Sequence, residues 1–364
     1  MRGHLVSAGP DRERPSPGAG SRGRVQGMTA GYVHFPTLLS EADADAMLRL
    51  CERFGSYGMY GQKPGEEELG RGLYPRHDAA MNYLRTGGRF GRSESAATLA
   101  VRTNYFRETY AYDEPVVDGI EGFLWHEGLL EAARDVFDRP IVQPAIVYAN
   151  LLIPGQELAV HTDVPEFRGA NRTKDPEWLL VVMHHSSLFE RWRMPIATGV
   201  SWFGGCRGGD FAFYPEGPDE AAVTVPAAHD SAILLDTDSV FHGVDRVAET
   251  ATPLPPLAIG MRLTFEGNDT WRVGFGDDAV IRYRWDDIRF SVSWKAYCLA
   301  DEAERRMVAE HTDDLTRERI MDTLLRDLER RGRLRDGVPG GTDLALLLIE
   351  EYVRFPPPAA GTDG

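Results

Sequence analysis

The sequence predicts a mainly β protein with flanking helices. From about residue 143 to residue 297, short apolar or alternating runs recur, and glycine, proline, asparagine and aspartate separate them. Such runs are typical of strands in a barrel or a double-sheet jelly roll. The runs lie at 145–153, 179–183, 199–203, 211–214, 222–225, 232–235, 240–247, 257–265, 270–275, 280–283 and 289–297.

Helical patterns flank this β region on both sides. Ser40 precedes an apolar stripe at helical spacing, and its side chain is suited to cap the free amides of a helix start. Further helices are predicted near 116–137 and 342–354. Residues 55–97 are rich in glycine and charge and lack periodicity, so an irregular segment or a lid is expected there.

The domain organisation follows from these patterns. Residues 1–28 are rich in Gly, Pro, Ser and Arg and are predicted to be a disordered tail. One catalytic-type domain is expected over 29–299, with its β core at about 100–297. A helical extension is expected over 300–354; it should pack on that core and is a second candidate for a lid. Residues 355–364 are predicted to form a flexible tail.

The bulk composition excludes several classes of function. With 40 Lys and Arg against 56 Asp and Glu, the formal charge is −16, which argues against a nucleic-acid partner because phosphate backbones require a positive surface. The three cysteines form no CxxC pair, so neither a disulfide framework nor a zinc knuckle is indicated. No apolar run approaches a membrane span or a signal-peptide core, and a cytoplasmic location is expected.

The residues most informative about function are His161, Asp163 and His242. His161 and Asp163 are two positions apart, so a strand would project both side chains from one face. His242 lies on a later apolar run that can run beside the first. Two imidazoles and one carboxylate are the ligand set that holds non-haem Fe(II) on one face. The competing interpretation is a polar pair at a strand edge.

A second His-x-Asp sequence shows that the tripeptide alone is weak evidence. His311-Thr312-Asp313 has the same pattern but lies in a helical context, where residues two apart diverge. We therefore do not expect a metal there.

At this point the sequence resembles the Fe(II)/2-oxoglutarate-dependent dioxygenases, in the branch similar to prolyl hydroxylases and phytanoyl-CoA hydroxylases. The motifs that carry the resemblance are His161-x-Asp163 after a Pro-Gly turn, Gly208-Gly209-Asp210-Phe211, and Phe241-His242-Gly243-Val244 with Val247. The resemblance implies a double-stranded β-helix (jelly-roll, cupin-like) core and the metal triad. It also implies that Fe(II), 2-oxoglutarate and O2 are used to hydroxylate, or otherwise oxidise, a C–H bond. Because Asp163 is present, the triad is that of an oxygenase rather than of the related halogenases.

Members of this family hold the far carboxylate of 2-oxoglutarate with an Arg or Lys on the last core strand, often followed two residues on by Ser. Arg289 with Ser291 and Arg262 with Thr264 both fit that pattern. The family usually places this residue some ten positions after the second histidine, whereas these arginines follow His242 by 20 and 47 positions. An insertion is therefore expected, and Arg289 is the preferred anchor, with Arg262 the alternative.

Other residues are expected to contact the small molecules. Tyr148 and Asn150 occupy positions where the family often has polar groups near 2-oxoglutarate, although ordinary strand hydrogen bonding also accounts for them. Arg168 lies in a cationic loop just after the triad and is expected to bind a substrate anion, the alternative being a solvated loop.

The expected substrate is a small molecule, such as an amino acid or a natural-product intermediate. Two other functions stay open: a non-catalytic small-molecule-binding protein of the same fold, and a non-haem iron enzyme that does not use 2-oxoglutarate.

Overall fold

A computed structural model describes residues 21–23, 31–60, 76–89, 91–92, 94–249, 251–335 and 337–358. Within them the helices are α1 Glu41–Phe54, α2 His77–Thr86, α3 Ala96–Arg102, α4 Glu121–Leu124, α5 Glu127–Phe137, α6 Glu177–His185, α7 Glu302–Glu310, α8 Arg317–Arg330 and α9 Gly341–Tyr352. Within the same residues, no helix is long and apolar enough to cross a membrane.

The strands are β1 Ser21–Gly23, β2 Tyr32–Phe35, β3 Ser56–Met59, β4 Phe106–Ala111, β5 Ile141–Leu152, β6 Leu158–His161, β7 Glu166–Phe167, β8 Arg193–Met194, β9 Ile196–Phe203, β10 Phe211–Phe213, β11 Val223–Val225, β12 Ser231–Leu235, β13 His242–Val244, β14 Arg262–Gly267, β15 Thr270–Phe275, β16 Asp278–Arg284 and β17 Arg289–Leu299. They form an eleven-stranded sheet, a four-stranded sheet and the small β7–β8 pair.

Two sheets face each other at the centre of the fold. The large sheet contains the neighbours β12, β9, β17 and β5, and the small sheet has the order β11, β10, β13, β6. Side chains from both sheets meet in one apolar cluster, in which Trp202 of β9 lies 5.9 Å from Phe211 of β10, centroid to centroid. All strand pairs within the sheets are antiparallel. The predicted fold class, a jelly-roll core with flanking helices, is confirmed, and the two sheets stay open rather than closing into a barrel.

Period-two alternation decides what each face of the large sheet contacts. On β17, Phe290, Val292 and Trp294 face the first helices, and the indole nitrogen of Trp294 donates to the carbonyl of Leu124 at 2.8 Å. The intervening residues of β17 face the small sheet. The interior between the sheets is therefore lined on this strand by every second residue from Arg289 onward.

The C-terminal helices cover the other side of the small sheet. Residues of α6, α8 and α9 form one apolar cluster with Val160 and Phe241, which flank the candidate ligands. Phe355, in the predicted flexible tail, packs on Phe241 with a centroid distance of 5.2 Å.

Several local expectations were wrong. Residues 179–183 belong to α6 and are not a strand; a fully buried run of this length has the same sequence pattern in both structures. The expected irregular segment 55–97 contains β3, α2 and the start of α3, while 61–75, 90 and 93 lie outside the described residues. Ser21–Gly23, in the predicted disordered tail, pairs with β2.

Candidate metal centre

His161, Asp163 and His242 converge between the sheets. His161 ends β6 and His242 begins β13, and the two residues are direct partners in the antiparallel ladder. Direct partners project from the same face, so the two rings lie side by side with centroids 4.5 Å apart. One ligand atom from each of the three residues lies within 4.8 Å of the others.

Backbone carbonyls fix the orientation of both imidazoles. Nδ1 of His161 lies 2.6 Å from the carbonyl of Ala159, and Nδ1 of His242 lies 2.9 Å from that of Val240. An Nδ1–H donated to a carbonyl leaves Nε2 unprotonated and available as a ligand. Burial lowers the pKa of His242 to about 3, so this ring is neutral near pH 7, as a metal ligand must be.

The two oxygens of Asp163 have different partners. Oδ1 lies 3.6 Å from Nε2 of His161 and 3.8 Å from Nε2 of His242. Oδ2 accepts hydrogen bonds from the hydroxyl of Thr237 at 2.6 Å and from the ammonium of Lys295 at 2.7 Å. Burial alone would raise the pKa of Asp163, but Lys295 and the two histidines outweigh it and hold the pKa well below its usual range. Asp163 is therefore a carboxylate with one oxygen directed at the imidazoles.

Two imidazoles and one carboxylate oxygen fit a divalent metal with open positions on one side. The three residues form a candidate Fe(II) site. It is the only convergent cluster of three His, Cys, Asp or Glu ligands in the described ranges. The second His-x-Asp sequence lies elsewhere: His311 is the exposed C-cap of α7, and Asp313 pairs with Arg191 at 2.9 Å.

Arg289 is a deeply buried cation. It is 2% exposed; its Nε donates to the carbonyl of Gly209 at 2.6 Å, and Nη1 donates to the hydroxyl of Ser291 at 3.1 Å. Its Nη2 is buried and has no hydrogen-bond partner among the described residues. Burial lowers the pKa of Arg289 to about 10, and we find no ion pair for it in the described part of the chain. A buried guanidinium with an unused donor fits an anion that is itself enclosed.

Arg262 has a different environment. It begins β14, is exposed, and its guanidinium bonds Glu108 at 2.9 Å and the hydroxyl of Ser56 at 2.8 Å. The hairpin strands β14, β15 and β16 lie between β13 and β17 in sequence and extend the large sheet beyond β3. These three strands account for the long separation between His242 and Arg289 along the chain.

Tyr148 and Asn150 lie on β5, directly opposite Ser293 and Ser291 of β17. Both therefore share the interior face with Arg289. The amide nitrogen of Asn150 donates to the hydroxyl of Ser293 at 3.2 Å, while its buried Oδ1 has no partner. A polar atom left unpaired on this wall is suited to contact a bound polar molecule.

Arg168 lies away from this wall. Its Nη2 donates to the carbonyl of Arg191 at 2.7 Å, and Asp313 is 3.6 Å away. These contacts connect the loop after the triad to the C-terminal helices, so the side chain already has protein partners. A contact between Arg168 and substrate stays a prediction that these contacts do not favour.

His185 contacts the metal centre indirectly. It lies on α6, and its Nε2 is 3.3 Å from the hydroxyl of Thr162, the residue between His161 and Asp163 in sequence. Its ring stacks on Phe241 with a centroid distance of 5.2 Å. Burial lowers the pKa of His185 to about 4, against the opposing charge of Asp78. It is therefore a neutral packing residue behind the ligands.

Sequence reasoning missed Thr237 and Lys295. Thr237 stands inside the stretch Asp236-Thr237-Asp238 that precedes His242, and no pattern there marks its hydroxyl as a partner of Asp163. Lys295 lies on the same alternating face as Arg289, Ser291 and Ser293, so strand periodicity could have placed it in the interior. Neither signal says that these side chains reach Asp163, because that contact joins two different sheets.

No profile of a known protein family matches the chain, and no curated protein matches it. Solved structures that are similar include a Pseudomonas putida prolyl-4-hydroxylase, with 10% identity, a TM-score of 0.36, and coverage of 75% of this chain and 95% of that one. HygX from Streptomyces hygroscopicus, with nickel, 2-oxoglutarate and hygromycin B bound, has 11% identity, a TM-score of 0.35, and coverage of 74% and 84%.

A third similar structure is a 2OG-Fe(II) oxygenase family oxidoreductase from Burkholderia pseudomallei, with 13% identity, a TM-score of 0.31, and coverage of 65% and 93%. Because identity is low and the superpositions are loose, the chemistry assigned to this chain depends on its own side chains.

Proposed function

We propose that this chain is an Fe(II)- and 2-oxoglutarate-dependent oxygenase that hydroxylates a small molecule, such as an amino acid or a natural-product intermediate. One observation carries the proposal. The three candidate metal ligands and a buried arginine, which has no ion pair among the described residues, line the same interior, and strand β17 runs between them. A metal site alone would serve many enzymes, whereas the enclosed cation calls for an anionic cosubstrate.

Separate groups of residues would hold the metal and the cosubstrate. His161, Asp163 and His242 would hold Fe(II), and Arg289 with Ser291 would hold the far carboxylate of 2-oxoglutarate through a two-pronged contact. When bound, the metal and 2-oxoglutarate supply the activation of O2 for oxidation of a C–H bond. The exposed ion pair of Arg262 with Glu108 favours Arg289 as the anchor.

Other side chains orient the candidate ligands and exclude water from the site. Thr237 and Lys295 fix the rotation of Asp163, so that a single oxygen faces the imidazoles. Leu152, Val200, Trp202 and Phe211 surround the Arg289 end with apolar surface, which keeps water from the anion. Tyr148 and Asn150 contribute polar atoms between the two ends.

The test follows succinate formation from 2-oxoglutarate with Fe(II), in air and under nitrogen. Oxygen-dependent succinate, even slow and without added substrate, is the expected result, and an Asp163→Ala variant should form none. Binding of 2-oxoglutarate by calorimetry without any succinate would indicate the non-catalytic binding protein. Metal binding without 2-oxoglutarate binding would indicate an iron enzyme that does not use this cosubstrate.

A further inference from the structure

Arg107 is a second cation on the interior wall without an acidic partner. It lies on β4 directly opposite Asn150 of β5, so it shares the face of Tyr148, Ser291 and Arg289. Its guanidinium lies 3.6 Å from the ring centroid of Tyr148 and 5.1 Å from that of Tyr60. Among the residues that the structure describes, no carboxylate forms an ion pair with Arg107.

The wall leads from Arg107 to the metal centre. Tyr148, which the guanidinium covers, stands opposite Ser293 of β17, and Lys295 lies two positions further along the same face. Lys295 in turn bonds Asp163. Two strand spacings and four residues of rise place the Cα atoms of Arg107 and Lys295 on the order of 15 Å apart. Both residues lie on the interior face of the large sheet.

Stacking on Tyr148 fixes the orientation of the Arg107 guanidinium so that it can bind a planar anion. With one face of the guanidinium against Tyr148, its N–H groups are directed along the plane, which suits a carboxylate held by two parallel hydrogen bonds. Tyr60 and Tyr105 stack on each other at 5.3 Å and an interplanar angle of 16°, and the backbone amide of Tyr60 donates to the carbonyl of Tyr105 at 2.7 Å. This pair forms a flat aromatic wall beside the cation.

The charges nearby favour a single negative charge on the ligand. Burial lowers the pKa of Arg172, but Glu177 and, more weakly, Tyr148 and Tyr60 raise it, and the net shift is upward. Glu177 therefore acts on Arg172, whereas no carboxylate of the described residues forms an ion pair with Arg107. A single guanidinium of this kind matches a carboxylate better than a doubly charged phosphate.

We infer that Arg107 binds a carboxylate of the substrate between Tyr148 and the stacked pair Tyr60–Tyr105, with the carbon to be oxidised at the Asp163 end of the wall. The inference rests on the proposed function and narrows its substrate to small carboxylic acids. It assigns to a wall residue of β4 the role that the loop around Arg168 was expected to have.

The test uses the full chain loaded with Ni(II) and saturating 2-oxoglutarate, and matched acid and amide probes. The pairs are 3-phenylpropionate with 3-phenylpropanamide and hexanoate with hexanamide, with phenyl phosphate added, and binding is followed by saturation-transfer NMR. Acids should bind, and the amides should bind at least about tenfold more weakly. Arg107→Gln should lose about tenfold or more in acid affinity, and Arg107→Lys, which keeps the charge without the fork, should lose less.

The control is Arg282→Gln, an exposed arginine of β16 paired with Glu266, which should behave as wild type. Equal binding of acids and amides, unchanged acid binding by Arg107→Gln, or no binding of any acid by wild type would overturn the inference. Tighter binding of phenyl phosphate than of both acids, lost in Arg107→Gln, would replace carboxylate by phosphate. In each of these cases a separate measurement of 2-oxoglutarate binding still tests the proposed function. If wild type does not bind 2-oxoglutarate, the proposed function is refuted rather than the inference about Arg107.

Discussion

Replacing Arg289 by Gln isolates the anchor from the metal ligands. Among the described residues, Nη2 of Arg289 has no partner and Nη1 has only Ser291, so both are open to a carboxylate. Hydrogen bonds to charged groups contribute about 1.5–3 kcal/mol each, so loss of two corresponds to roughly 3–6 kcal/mol. Arg289→Gln should therefore weaken 2-oxoglutarate binding by roughly 100- to 10,000-fold. Calorimetry with Ni(II)-loaded protein measures this directly.

The comparison variant is Arg262→Gln. This arginine is exposed and its ion pair with Glu108 belongs to a class that contributes about 0–1 kcal/mol. Its removal should leave the 2-oxoglutarate dissociation constant within about threefold of wild type and should lower the free energy of unfolding only slightly. If Arg262→Gln loses affinity and Arg289→Gln does not, the assignment of the buried cation as the anchor is refuted, whatever the metal site does.

Three further outcomes are expected. His161→Ala should abolish Ni(II) binding by calorimetry, whereas His311→Ala should bind as wild type; equal loss in both would disprove the choice of site. Gly209 has φ +70°, and a Cβ there would lie 2.7 Å from Cδ of Arg289, so Gly209→Ala should weaken 2-oxoglutarate binding by about tenfold or more without touching a ligand. The pKa of His185 is lowered to about 4 from 6.5, so on acidification the unfolded chain takes up a proton at this residue before the folded chain does. Between about pH 7.5 and pH 5 the free energy of unfolding of metal-free wild type, measured in urea, should therefore fall by about 2 kcal/mol more than that of His185→Phe. Parallel pH profiles for the two proteins would contradict that assignment.

The metal site was predictable because its determinants are local. Alternation along a strand puts His161 and Asp163 on one face, and the apolar run at His242 predicts another strand. The remaining step, that these strands are neighbours, came from the resemblance and is confirmed by the ladder that pairs His161 with His242. The helical context predicted for the second His-x-Asp sequence is wrong, because residues 311–313 form the turn after α7; its side chains instead pair separately, His311 with Asp314 and Asp313 with Arg191.

Residues 179–183 show where periodicity fails. A run that is buried on every side has no polar face, and its length fits a strand as well as a short helix. Its α-helical state depends on tertiary packing, since α6 is covered by α9 within the C-terminal cluster. The consequence reaches the candidate site, because His185 at the end of α6 contacts Thr162, which lies between His161 and Asp163 in sequence.

The arginines show why counting along the chain is a weaker guide than position in the sheet. The distance from His242 to the anchor was expected to be short, and by that measure Arg262 was nearer than Arg289. The inserted hairpin β14–β16 joins the sheet at its far edge, beyond β3, and leaves β17 between β5 and β9 in the core. An insertion of this kind changes the number of residues without moving the first residue of the central strand. The proposal that Arg289 is the anchor depends on its burial and on its unpaired Nη2 among the described residues, and both follow from the central position of β17.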